Sequence, residues 1–382
     1  PKIASYNINR QQNTYLGKVD FNINENNQVW VRYNQQDFTG TNLESSGTLS
    51  ALEHTGNSNV KTKTLTTNWT HTLTPKWFNE FRFQYSRDKQ PGLANSASPE
   101  VNVTANAGGI NDGTFAFGRN NFSPRETTIN RYQFINNQTY ISGNHTLKYG
   151  ADILIDRIFN FFPGLFSGSY TFTSYATLSA GTPSRYRQSF AGAGTTGAET
   201  HPDNTEYGFF VQDDWRARPN MSFNFGLRYD YQKIAKPQIQ NPNAALLVAG
   251  FDTSFQPKDK NNFAPRLGFS YSFDTKSVLR LGYGMFFGRT PAIATGTTHS
   301  NNGLQVINLD INCSTSPALC PTYPNVFTSI PTNVAAVTPN LFLFGRNYKQ
   351  PFTHQARIQY EREFIKNTTF SVQYTMFRGV DL

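Results

Sequence analysis

Hydrophobic and polar positions alternate along this chain in bursts, and each burst is followed by a tight turn and a second burst. The clearest copy is EYGFFVQDDWRARPNMSFNFGLRYD, from Glu206 to Asp230. After Arg218-Pro219-Asn220, the residues Met221, Phe223, Phe225, Leu227, Tyr229 and Tyr231 share one parity. Ser222, Asn224, Gly226, Arg228 and Asp230 share the other. A β-strand sends alternate side chains to opposite faces, so this strand has one greasy surface and one wet, charged surface. A soluble sandwich buries such a greasy face in a core. A membrane barrel turns it to lipid and keeps water inside.

The pattern predicts strands over 13–23, 28–38, 60–73, 77–87, 128–141, 145–157, 204–217, 221–233, 263–273, 278–287, 353–364 and 368–378. They fall into hairpins joined by short turns, such as Thr74-Pro75-Lys76, Ser142-Gly143-Asn144 and Ile365-Lys366-Asn367. Pro, Asn, Gly and Asp suit such turns because they pre-set φ, tolerate the left-handed region or bond their own backbone. Between hairpins the connections are long, over 39–59, 88–127, 158–203, 234–262 and 288–352, and are expected to lack regular structure. Strict alternation of short and long places every long connection at one end. Outer-membrane barrels have this asymmetry, with tight periplasmic turns and large extracellular loops.

Strand by strand the sorting persists. Leu147, Tyr149, Ala151, Ile153 and Ile155 oppose Thr146, Lys148, Gly150, Asp152 and Asp156. Leu279, Leu281, Tyr283, Met285 and Phe287 oppose Arg280, Gly282 and Gly284. The segment 128–141 is irregular: Tyr132 and Phe134 are out of phase with Ile129, Ile135 and Ile141, which suggests a bulge. Charges on the polar face would be ordinary solvent-facing residues in a sandwich, so they do not discriminate. Strand length does. Globular strands cluster near ~5–6 residues, whereas tilted membrane strands need ~9–11. Charges that break phase on the greasy face, Asp213 and Arg362, lie near short turns, as do Trp69, Trp77 and Trp215. An interfacial aromatic belt belongs there, where a lipid-facing charge costs little.

Composition agrees with strands and excludes a helical membrane protein. Aromatics reach 15%, with 33 Phe and 19 Tyr against 3 Met, and charged residues are only 15%. Mean hydropathy is −0.53, and no window approaches the ~18–20 consecutive apolar residues of a membrane helix. The net charge of +9 is spread without any run of basic residues, so nucleic acid is not an expected partner. Cys313 and Cys320, in CSTSPALC, fit no zinc or redox motif. Their spacing suits a local disulfide in an extracytoplasmic loop, with two free thiols as the alternative.

The sequence carries none of the common catalytic, metal or nucleotide-binding motifs. GxSxG, HExxH, GxxxxGK[ST] and CxxC are all missing, and the six histidines are scattered. Adjacent Asp213 and Asp214 point to opposite faces of a strand and cannot share one site. The stretch FAGAGTTGA at 190–198 has no helix-forming segment after it, so a flexible loop is expected rather than a phosphate cradle. No catalytic, cofactor or metal residue is assigned.

The segments YGFFVQDDWRARPNMSFNFGLRYD, NNFAPRLGFSYSF with SVLRLGYGMFFG, and PFTHQARIQYEREFIKNTTFSVQYTMFRGVDL resemble the barrel of TonB-dependent outer-membrane transporters, particularly the Oar-like group. The resemblance runs over most of residues 60–382. It implies an all-β, transmembrane, antiparallel up-and-down barrel of roughly 22 strands, of which this chain is an interior, incomplete part. A plug domain, a carboxypeptidase-regulatory-like sandwich, the TonB-contacting segment and the final strands would lie elsewhere in the full protein. The expected location is the bacterial outer membrane. Expected partners are its lipid and lipopolysaccharide, the protein's own plug, TonB, and an unidentified extracellular ligand. Arg228, Asp230, Arg266, Arg280, Arg357 and Glu361 are the expected lumen lining. A passive porin or adhesin barrel and a soluble all-β repeat module remain the alternatives.

Overall fold

A computed structural model describes residues 5–44, 49–107 and 110–381. β1 (Asn9–Asn24) and β2 (Asn27–Glu44) form the first hairpin, and β3 (Gly56–Thr74) and β4 (Trp77–Ala94) the second. The next connection builds β5 (Glu100–Ala107) and β6 (Ile110–Phe117) before β7 (Arg125–Ser142) pairs with β8 (His145–Phe161). β9 (Ser169–Phe172), β10 (Arg185–Ala191) and β11 (Glu199–Thr200) precede the hairpin of β12 (Asn204–Arg218) and β13 (Met221–Ile234). β14 (Phe263–Ser272) and β15 (Ser277–Phe287) follow. β16 (Val306–Asn312) lies in the last long connection, ahead of β17 (Phe352–Ile365) and β18 (Thr368–Val380).

The long strands lie side by side in the order β1-β2-β3-β4-β7-β8-β12-β13-β14-β15-β17-β18, with β11 attached to β8. Each pairs antiparallel with its neighbours, and β1 and β18 stand at the two ends of an open sheet. This up-and-down order follows from the short turns, which leave each strand no neighbour but the previous one. The early strands run past their predicted ends: β2 continues to Glu44, β4 to Ala94 and β8 to Phe161. In these extensions Lys, Asp, Thr and Asn occupy both faces, so alternation fades while the hydrogen-bonded ladder continues.

The expected bulge in 128–141 is absent. β7 keeps unbroken register with β8 from Glu126 to Ser142 and with β4 from Arg125 to Tyr140. Tyr132, Phe134 and Tyr140 stay on the greasy face. Ile129 and Ile135 lie on the polar one, opposite Ile158 and Asp152. Ile158 and Leu154 are buried there, so the polar face holds a small apolar patch of its own, and this broke the phase.

The two faces differ in enclosure. Leu227 is 44% exposed and Val211 52%, and no second layer covers them among the described residues. On the opposite face Thr66, Asn68, Asp156 and Gln232 are buried. A curved sheet crowds side chains on its concave side, so the polar face is the inner one.

The compact apolar core lies outside the large sheet. The long connections supply a second, five-stranded sheet in the order β16-β10-β9-β5-β6, with β5 and β9 parallel. Val101, Val103, Phe115, Phe117, Tyr170, Phe172, Tyr186 and Ile311 pack together in it. Each large side chain removed from water contributes about 1.5–3 kcal/mol. The Tyr170 hydroxyl donates to the carbonyls of Pro321 (3.1 Å) and Asn325. Cys313, at the edge of this core, is disulfide-bonded to Cys320 across a Cα–Cα distance of 5.7 Å. The connections are therefore largely ordered, contrary to the expectation of structureless loops. The stretch 190–198 is no exception: Gln305 Nε2 donates to the carbonyls of Gly197 (3.1 Å) and Glu199 (3.0 Å) and holds it in place.

Candidate functional site

Parity on β12 and β13 brings charged residues onto the inner face. Arg228 and Asp230 are two apart, so they share that face, and Arg228 Nε donates to Asp230 Oδ1 at 2.8 Å. Gly208 on β12 stands opposite Asp230. A Cβ at Gly208 would lie 2.1 Å from Arg228 Nη2, so this glycine is the floor on which the guanidinium rests. Arg266 on β14 faces Gly226 on one side and Gly284 on the other. Its guanidinium lies 4.7 Å from the centroid of the Phe286 ring, a cation–π arrangement. Arg266 has no acidic partner among the described residues. Gly208 and Gly284 thus leave space for the bulky inner-face side chains of Arg228 and Phe286.

These residues line a cleft of about 170 Å³ together with Asp152, Glu206 and Arg289. Glu206 receives Arg289 Nε at 2.8 Å and Asn204 Nδ2 at 2.7 Å. Nearby on the same face, Arg131 forks onto Asp156 with two bonds of 2.8 Å. Such bidentate pairs fix geometry more firmly than single contacts. The cleft presents cations and anions in close alternation, suited to a polar surface or a zwitterionic ligand rather than to an apolar one.

Amide groups tie the cleft to the loops. Gln232 Nε2 donates to the Thr290 carbonyl (3.0 Å), and Gln232 Oε1 accepts from Thr290 N (2.8 Å) and Gln350 Nε2 (2.7 Å). Asn262 Nδ2 completes the chain on Gln350 Oε1 at 2.6 Å. All four residues are buried. The start and the end of the connection 288–352 are thereby fastened to β13.

Of the sequence-predicted residues, Arg228, Asp230 and Arg266 meet in the cleft. Arg280 and Glu361 form a separate pair at 3.0 Å between β15 and β17, nearer the short turns. Arg357 donates to Gln359 on its own strand and joins neither group. Asp152 was placed on the polar face by its parity but not among the expected lining, and Glu206, which shares the polar parity of its strand, could have been found in the same way. Arg289 lies past the end of β15, where parity no longer speaks.

Beside the short turns the greasy face carries polar groups. Asp213 accepts from His145 Nδ1 at 2.7 Å, and the His145 ring stacks on Trp215 at 5.6 Å. Asp214 turns the other way, to Lys148 at 3.1 Å. The indole nitrogens of Trp69 and Trp77 donate to Asn27 (3.0 Å) and Gln138 (2.8 Å). Among the described residues, no group of three His, Cys, Asp or Glu side chains could hold a metal ion. No helix among them is long and apolar enough to cross a membrane, which says nothing of strands.

A family model described as "Outer membrane beta barrel domain" matches residues 3–382. Among curated proteins, none matches. The outer membrane transporter YddB from Escherichia coli superposes with a TM-score of 0.62 at 14% identity, over 96% of this chain and 40% of that one. The FrpB iron transporter from Neisseria meningitidis gives 0.55 at 12% identity, over 96% of this chain and 45% of that one. FpvA from P. aeruginosa, solved bound to heterologous pyoverdines, gives 0.54 at 11% identity, over 97% and 42%. The chain spans less than half the length of each of these proteins. At such identities the likeness speaks for the fold.

Proposed function

The chain belongs to the outer membrane beta barrel domain family and resides in the bacterial outer membrane, and from that premise we propose that it is the wall of an energised nutrient receptor. In this reading the knitted loops capture a ligand outside, and TonB-delivered energy drives its passage through the lumen. The chain forms an interior part of the barrel, whose plug, sandwich and remaining strands lie elsewhere in the full-length protein. Two free sheet edges accord with this, since a barrel in lipid must satisfy every backbone group by closure.

The carrying observation is the inner-face cleft of Glu206, Arg228, Asp230, Arg266 and Arg289. A passive pore needs only a wetted wall. Arg266, stacked on Phe286 and without an acidic partner, offers a cation to a plug or to a passing ligand. Arg280, Glu361 and Arg357 line the lumen nearer the periplasm. The protein acts by binding and transport, not by catalysis.

The test uses the full-length protein in planar bilayers and in cells. An energised receptor conducts no steady current, and its uptake collapses when a protonophore removes the driving force. Steady conductance, with uptake indifferent to the protonophore, would establish the passive porin instead.

A further inference from the structure

On the outer face of β3 and β4, register sets like charges directly opposite one another. Lys63 pairs with Arg87 and Lys61 with Lys89. Opposed like charges destabilise a sheet unless an anion sits between them. Lys61 and Lys89 have protein partners, Asp37 at 3.6 Å and Glu126 at 3.2 Å. Lys63 and Arg87 have no acidic partner among the described residues, and both are exposed.

Their neighbours extend the row. Gln35 on β2 stands beside Lys63, and Asn130 on β7 beside Arg87. The Asn130 carbonyl accepts from the Tyr85 hydroxyl at 3.1 Å, which turns its amide donors outward. One rung toward the short turns, the row becomes Tyr33, Leu65, Tyr85 and Tyr132, the upper rim of the greasy face.

The height of this row is set by strand geometry. Trp77 marks the lower rim of the greasy face on β4, and Arg87 is on the same face of that strand. Ten residues at about 3.3 Å each, tilted by about 40°, rise about 25 Å. That equals the apolar band of an outer-membrane barrel. The cations therefore stand at the level of the outer-leaflet headgroups, immediately above lipid.

We propose that Lys63 and Arg87 form a binding site for a phosphate of an outer-leaflet glycolipid. The phosphate sits between the two cations, with Asn130 donating at one flank and the Tyr33–Tyr85–Tyr132 row packing on the acyl-chain boundary, while the Gln35 amide is committed to Asp37 Oδ2 at 2.7 Å. The site belongs to the wall of the barrel, so it depends on the membrane assignment and not on energised import.

The full-length protein is reconstituted into phosphatidylethanolamine vesicles containing a bis-phosphorylated, glucosamine-based lipid, its dephosphorylated form, or inorganic phosphate alone. Binding is read by native mass spectrometry and by lipid retained after detergent extraction. The phosphorylated lipid is retained by the native protein, and the dephosphorylated form and free phosphate are not. In Lys63→Gln/Arg87→Gln, affinity falls about thirty-fold, the loss expected for two interfacial cations. The charge-preserving Lys63→Arg/Arg87→Lys keeps it, and heat-modifiable gel mobility confirms that each variant is folded. Equal retention of both lipid forms, or by the double Gln variant, overturns the assignment. Uptake that remains energised in the double Gln variant separates this site from the transport reading.

Discussion

Replacing Gln232 with leucine would release the connection 288–352 at both of its ends. The substitution removes the acceptor for Thr290 N and Gln350 Nε2 and the donor to the Thr290 carbonyl. Each buried group left unpaired costs about 1–3 kcal/mol. Water can enter from the cleft and satisfy part of the deficit, so about 2 kcal/mol is the expected net loss to loop closure. Proteolysis of a transiently opened segment follows the opening equilibrium, so cleavage should accelerate about thirty-fold. The structure places suitable trypsin sites at the fastening points, Arg289 before Thr290 and Lys349 before Gln350. The assay is limited digestion of the full-length protein in detergent, with fragments identified by mass. Cleavage should rise at those two bonds while the barrel keeps its thermal transition. Unchanged cleavage at both would show that the amide chain does not fasten the loop.

Three further outcomes concern the loop sheet. Cys313→Ser should remove the cross-link of a short segment, costing about 2–3 kcal/mol locally, read as faster hydrogen exchange over β16 with no change in the long strands. Gly192→Ala would put a methyl 1.7 Å from the Leu304 carbonyl oxygen, and that oxygen is backbone, so β10 and the segment before β16 must separate. A fall in loop protection of at least tenfold is expected by the same exchange measurement, about 1.4 kcal/mol or more. Burial pushes the Tyr186 hydroxyl up to about 12. The unfolded phenol releases its proton near ~10 while the folded one keeps it, so the contribution is complete below ~10 and vanishes as pH climbs toward 12. Burial raises the Tyr170 hydroxyl as well, so tyrosinate absorbance should show two late-titrating phenols whose ionisation coincides with loop unfolding, and Tyr186→Phe should remove one of them.

The large sheet was legible because its information is local. Alternation identified each strand, and the Arg218-Pro219-Asn220 and Ser142-Gly143-Asn144 turns left only one antiparallel order. The loop sheet was not legible, although Val101, Val103, Phe115 and Phe117 alternate in the same way. Its pairings join distant connections, and the parallel contact of β5 with β9 has no turn to announce it. The site divides similarly. Arg228 and Asp230 follow from spacing alone, and Arg266 from the parity of its strand. Arg289 meets Glu206 only through the fold, because it stands in a connection whose course side-chain periodicity does not set. Ile129 and Ile135 misled for a physical reason: a curved inner face shelters a few apolar side chains, so parity is not purity.

The central claim is that the greasy face contacts hydrocarbon and the charged face encloses water. Arginine introduced singly at Leu227, Phe225 and Asn224 of the full-length protein tests it, with folding free energies measured by denaturant titration in lipid vesicles. The account predicts a loss of about 2–4 kcal/mol at Leu227 and Phe225 and about 0–1 kcal/mol at Asn224. Equal losses at all three positions, or the largest at Asn224, would contradict it.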